Sequence, residues 1–222
     1  MHSIKHKWIK RIFVLILVIF ISYILYLNSL VKSQFSSEIK PKDNVIQVQN
    51  LIDDYPKELI NMLLLVEDQS FFNHKGVDFK EILRVLYGYL FEEKELRGAS
   101  TITQQLIKNT LLSRDKTLAR KTDEALMAIL MEMSYDKNFI LERYMNTVYL
   151  AQQGSTAIHG FASGSLHYFD KDVESLNLEE MATLVALLKG PSYYNPVNSP
   201  ERLSRRVEMI LSMHKNYKKI IQ

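Results

Sequence analysis

The longest apolar run in the chain is Ile12–Val31, IFVLILVIFISYILYLNSLV, twenty residues without a charge. Twenty helical residues rise about 30 Å, the thickness of a bilayer's hydrocarbon core, so the run predicts a transmembrane helix. Trp8, Tyr23 and Tyr26 add amphipathic rings suited to headgroup depth. A cleaved signal peptide needs a shorter run and a small-residue cleavage site, and nothing between Asn28 and Ile39 supplies one; the expectation is a retained anchor. Residues 32–50 are polar, with one proline and a brief alternation at Val45, Ile46 and Val48, and predict a linker with one short strand.

Beyond the linker the apolar spacing becomes helical. Pro56 opens a helix carrying Leu59, Ile60, Leu63 and Leu64 to Glu67, and Asp78 with Glu81 begins one carrying Phe79, Ile82, Leu86, Tyr89 and Leu90. Thr101 with Gln104 opens a helix to about Leu112, and Leu118 to Tyr135 form a longer one. Asp136 begins a helix through Tyr149, Asn177 with Glu180 one ending at Gly190 and Pro191, and Ser199 with Pro200 the last. The stretch Leu83, Val85, Leu86, Tyr87, Tyr89, Leu90 and Phe91 is more apolar than one core-facing stripe requires, so part of it is expected to face outward.

Composition supports a helical body. No proline lies between Pro56 and Pro191, which disfavours a turn-rich β-sandwich or barrel. The absence of cysteine excludes disulfides, thiolate metal sites and cysteine nucleophiles. The formal net charge of +3 invites a reading as a nucleic-acid binder, but Lys5, Lys7, Lys10 and Arg11 precede any acidic residue. With those four set aside, 24 of the 28 basic residues face 25 acidic ones, and the body has no global pull toward phosphate backbones. The basic flank before the apolar run puts the N-terminus in the cytoplasm and the body outside.

Three stretches carry candidate chemistry. EDQSFFNHKG, from Glu67 to Gly76, sets two carboxylates at the end of an apolar helix. The macrodipole and an apolar wall there both disfavour the ionised form, which suits a general base or acid; taken alone, the segment fits a solvated helix end better. RGASTITQQLIKN, from Arg97 to Asn109, puts Ser100, Thr101, Thr103, Gln104 and Gln105 at a helix start able to meet an anion or sugar, or simply to cap itself. Lys108, Arg114, Lys116, Arg120 and Lys121 cluster within fourteen residues, with Glu124 one turn beyond Arg120. Such a cluster suits a pyrophosphate, or a solvated charged face.

EDQSFFNHKG, RGASTITQQLIKN, RKTDE, ILERYMNTVYL and LLKGPSYYNP, in this order and spacing, resemble the successive motifs of the peptidoglycan glycosyltransferase domain of class A penicillin-binding proteins and their monofunctional relatives. The similarity runs from about Tyr55 to Arg206. It implies an all-α, lysozyme-like domain, here residues 51–222, following a cytoplasmic flank (1–11), the transmembrane helix (12–31) and the linker (32–50). The implied location is the outer, periplasmic face of the bacterial cytoplasmic membrane. The implied substrate is lipid II, polymerised into β-1,4-linked glycan with release of undecaprenyl pyrophosphate. The implied partners are lipid II, the growing glycan, membrane lipid and other wall-synthesis proteins, with no nucleic acid and no organic cofactor expected.

By the resemblance Glu67 matches the general base and Glu124 the second glutamate, which organises the cationic cluster or a divalent cation (Mg2+ or Mn2+) near the leaving group; its metal ligands are unassigned. Lys108, Lys116, Arg120 and Lys121 match pyrophosphate-holding positions, with Lys116 standing where arginine is common. Arg84, Ser100, Gln104 and Gln105 match polar positions lining the cleft. Asp68, Phe71, His74, Asn109, Tyr144 and Asn146 match residues that shape it, His74 in a structural role. Thr147, Ala151 and Asp170 depart from the pattern; the last two stand where glycine is usual and put positive-φ turns in question. Ser212–Lys215 and Ser37–Lys40 have the S-x-x-K form but lack the accompanying transpeptidase elements, so the expectation is a monofunctional enzyme or a fragment cut at the domain's end. The competing readings are a lysozyme-like lytic enzyme, which needs no pyrophosphate cluster, and a catalytically silent scaffold, which needs neither glutamate.

Overall fold

A computed structural model of the chain describes residues 2–36, 45–91, 98–113, 115–217 and 220–221. It is 67% helical, in agreement with the all-α class, and has one long apolar N-terminal helix. That helix, α1 (His2–Phe35), continues four residues past the charge-free run and changes environment along its length. Trp8, Ile9 and Ile12 through Ile21 are exposed, whereas Leu27, Val31 and Phe35 are buried. These three pack in the core beside α4 (Ile102–Leu111) and α5 (Leu118–Ser134). Tyr23 reinforces the junction by donating its hydroxyl proton to Asp123 Oδ1 of α5 at 2.5 Å. The last third of α1 is therefore part of the globular body. A truncation beginning at Ser33 would strip Leu27 and Val31 from the core, at roughly 1.5–3 kcal/mol each.

Helix α2 (Lys57–Glu67) is the buried axis: every residue from Leu59 to Leu65 is buried, Asn61 included. The amide of Asn61 meets its hydrogen-bonding needs on the C-terminal segment, accepting from the backbone N–H groups of Ile220 and Ile221 at 2.8 and 2.9 Å and donating to the Ile221 carbonyl at 3.0 Å. α2 packs on α8 (Leu178–Leu187) and α9 (Pro200–Asn216), while α4 packs between α5 and α6 (Lys137–Thr147). α3 (Phe79–Phe91) stands apart, with Gly88 its one buried residue. Its Phe79, Leu83, Leu86, Tyr87, Tyr89, Leu90 and Phe91 are exposed, as the excess of apolar positions predicts.

The N-caps fall where local sequence signals put them. Thr101–Gln104 and Asn177–Glu180 form reciprocal capping boxes, and Asp136 Oδ1 accepts from the Phe139 N–H at 2.8 Å. α6 ends at Thr147, two residues short of the helix expected through Tyr149. There the chain turns into β2 (Tyr149–Gln153), then β3 (Thr156–His159), joined by a two-residue loop with Gly154 at φ 58. β1 (Val45–Ile46) adds parallel to β3, Val45 opposite Ala157, in the order β1-β3-β2. α7 (Phe161–Phe169) follows.

Of the two departures from glycine, Asp170 does occupy the left-handed region, at φ 53 and ψ 41, closing α7. Ala151 does not; it lies in β2 beside a register irregularity and takes no positive φ. A non-glycine residue in that conformation costs about 1 kcal/mol, so Asp170→Gly is expected to stabilise the fold by about that amount in denaturant unfolding. A loss of stability would show instead that the Asp170 side chain holds the helix end.

Candidate active site

Glu67 is the last residue of α2, half-buried, and its Oε2 accepts a hydrogen bond from Gln105 Nε2 at 2.9 Å. Gln105 in turn accepts at Oε1 from the Tyr144 hydroxyl of α6 at 3.0 Å. Burial first, then the charges of Glu67 and Asp68, push the Tyr144 phenol well above its ordinary pKa, so it stays a neutral donor.

Glu124 on α5 is 1% exposed. A carboxylate so placed needs charge and hydrogen bonds to compensate lost water. Arg120 Nη1 supplies one at 2.7 Å to Oε2, and Lys121 Nζ bonds Oε1. Gln104 Nε2 lies 3.4 Å from Oε1. Lys121 also donates to Ser100 Oγ at 2.8 Å. One negative charge thus stands against two positive ones, and Lys121, with 44% of its side chain exposed, faces outward. Both Glu124 oxygens accept from cations, and among the described residues no group of three or more His, Cys, Asp or Glu is placed to hold a metal.

α4 links the two glutamates. Its consecutive residues Gln104 and Gln105 reach Glu124 and Glu67, and Lys108 lies one turn beyond Gln104, exposed. Lys116 is exposed just before α5. Arg84 stands on the exposed face of α3, paired with Glu81 of its own helix at 2.7 Å, and no described contact joins it to either glutamate. Arg97 and Arg114 lie outside the described residues. Asn109 is exposed. Asn146 is buried and ties the chain entering α2 to α6, accepting from Tyr55 Oη and Asn50 N, each at 3.0 Å.

A second buried network holds the loop after Glu67. Asp68 accepts from the Ile102 N–H at the start of α4 at 2.9 Å and from His74 Nε2 at 3.0 Å. His74 Nδ1 lies 3.6 Å from Glu132, which pairs with Lys137 at 2.6 Å and accepts from Thr103 Oγ1 at 2.6 Å. Burial holds the Lys137 ammonium below the usual lysine range against the opposing pull of Glu132. The geometry is that of a clamp joining the loop to α4, α5 and α6. Glu132 and Lys137 escaped the sequence reading, since along the chain they look like any solvated pair.

The family model described as Transglycosylase matches residues 33–215, a stretch that contains both glutamates and the whole basic cluster. The chain belongs to the transglycosylase family. Penicillin-binding protein 1B of Haemophilus influenzae is 41% identical over 178 residues, covering 80% of this chain and 23% of that protein. Penicillin-binding protein 1B of Escherichia coli K12 is 42% identical over 159 residues, 72% of this chain and 19% of that protein. Penicillin-binding protein 1A of Neisseria lactamica is 45% identical over 161 residues, 72% and 20%. This transglycosylase chain thus matches about a fifth of the length of those relatives.

Proposed function

We propose that the chain is a peptidoglycan glycosyltransferase that polymerises lipid II, held at the membrane by α1 with its catalytic body on the outer face. The observation that carries the reading is the pairing across α4: neighbouring residues Gln104 and Gln105 hold an acidic pole at Glu67 and a cationic pole around Glu124. Glu67 takes the proton of the acceptor sugar's 4-hydroxyl as that oxygen bonds to the donor's anomeric carbon. The bond from that carbon to the pyrophosphate breaks, its electron pair leaves with the pyrophosphate, and the sugar inverts from α to β. Arg120 and Lys121, with Lys108 and Lys116 beside them, meet the charge that develops on the leaving group. Glu124 keeps Arg120 and Lys121 aligned. A lytic enzyme would have no use for the cationic pole.

Lipid II keeps its hydrocarbon tail in the bilayer, so the body must sit at membrane depth. The exposed apolar face of α3 suits this docking. Leu90→Glu with Phe91→Glu is expected to leave the melting temperature within about 2 °C and to lower activity on lipid II in liposomes severalfold more than in detergent. Equal losses in both, or unfolding, would return α3 to a core or protein-contact role.

The reading itself is tested at the cationic pole. Charge-assisted bonds to a pyrophosphate are worth about 1.5–3 kcal/mol, so Arg120→Ala is expected to lower kcat/KM for lipid II at least tenfold. Wild-type kinetics would make the cluster a solvated face.

A further inference from the structure

We propose that Tyr144 is a positioning residue for catalysis, fixing through Gln105 the carboxylate that removes the proton. The proposal rests on Glu67 being the base. Tyr144 is 1% exposed, and its hydroxyl points at the carbonyl oxygen of the Gln105 side chain, 3.0 Å away. That carbonyl cannot also face Glu67, so the amide nitrogen does, 2.9 Å from Oε2.

A primary amide has two ends of opposite character, and both are used here: the phenol proton satisfies the oxygen, the carboxylate satisfies the nitrogen. With Oε2 tied to Gln105, Oε1 is left to receive the acceptor's proton, in a fixed plane at the end of α2. Three helices contribute one member each, α2 with Glu67, α4 with Gln105 and α6 with Tyr144. Without the phenol oxygen the Gln105 carbonyl keeps no described partner in a half-buried place, and its side chain gains rotamers that release Glu67. This moves Gln105 from the sugar-binding role expected from sequence to a support of the base.

The test compares the unaltered 222-residue chain with Tyr144→Phe, Gln105→Ala and the double variant on lipid II in detergent, with melting temperatures recorded. Each single variant is expected to lower kcat about tenfold with KM within twofold, and the double variant to fall no further than the worse single, because both changes break one chain. Multiplicative losses, an unchanged kcat, or a rise confined to KM overturns the proposal. If Tyr144→Phe does not fold, Gln105→Met carries the test by filling the same space without either bond. A tenfold lower kcat at constant KM supports the proposal; an unchanged kcat or a pure KM effect overturns it. Glu67→Gln, assayed alongside, separates the two levels: if it retains activity the base assignment falls, whereas an inactive Glu67→Gln beside a fully active Tyr144→Phe removes the positioning role alone.

Discussion

Glu67→Gln is expected to lower polymerisation of lipid II by about 10²–10⁴-fold, the contribution of a positioned general base, without loss of fold. The substitution keeps the size of the side chain. Its amide oxygen can still accept from Gln105 Nε2, as the carboxylate does at 2.9 Å. What it loses is the ability to accept the acceptor's proton as the new glycosidic bond forms. In the proposed mechanism the donor is bound by the cationic pole at Arg120 and Lys121, which the substitution does not touch. The expected pattern is therefore a fall in kcat with donor affinity within twofold, read from single-turnover assays and direct binding. A weaker donor affinity with unchanged turnover would instead make Glu67 a binding residue.

The second large effect concerns Gly76. It closes the loop that follows Glu67 and adopts φ 88, where side chains are strained. A Cβ there would lie 2.5 Å from the carbonyl carbon and oxygen of Ala128 and 2.6 Å from the Ile129 nitrogen, all backbone atoms of α5. Backbone cannot swing aside as a side-chain tip can, so the loop or the helix must move. The loop is further pinned by Thr101 Oγ1, which donates to the Gly76 carbonyl at 2.6 Å. Gly76→Ala is expected to destabilise the protein by about 3 kcal/mol or more, which lowers the melting temperature by roughly 6–12 °C for a chain of this size. Because α5 carries Glu124 and Arg120, activity should fall even below the melting temperature. An unchanged melting temperature would mean that the loop does not press on α5.

What could be read from sequence was what is local. Caps at Thr101, Asp136 and Asn177 depend on a side chain and a backbone N–H three residues on, and each forms as expected. The β2–β3 hairpin was missed because its burial does not alternate: Leu150 and Ala151 are both buried and Gln152 and Gln153 both exposed, so a period of two is absent. The junction in α1 was missed for a different reason. Leu27 and Val31 are as apolar as Leu17 and Val18, and hydrophobicity alone does not distinguish a lipid neighbour from a protein core.

The site divides in the same way. Glu67 and Glu124 are singled out in the sequence by the resemblance of their motifs, and the fold sets both in polar clusters joined through α4. That Gln105 holds Glu67 depends on helices distant in sequence, and that the neighbouring Glu132 and Lys137 are buried behind the site depends on the packing around them. Arg84 illustrates the converse. The resemblance matches it to a polar position lining the cleft, and on α3 its side chain is 73% exposed and paired with Glu81.

The central claim is that two poles bridged by α4 make glycan from lipid II. Its most direct measurement incubates the detergent-solubilised 222-residue chain with labelled lipid II, then separates products before and after lysozyme digestion. The account predicts a high-molecular-weight polymer that lysozyme degrades, formed by the wild type and not detectably by Glu67→Gln. No polymer from the wild type, or equal polymer from both, would contradict it.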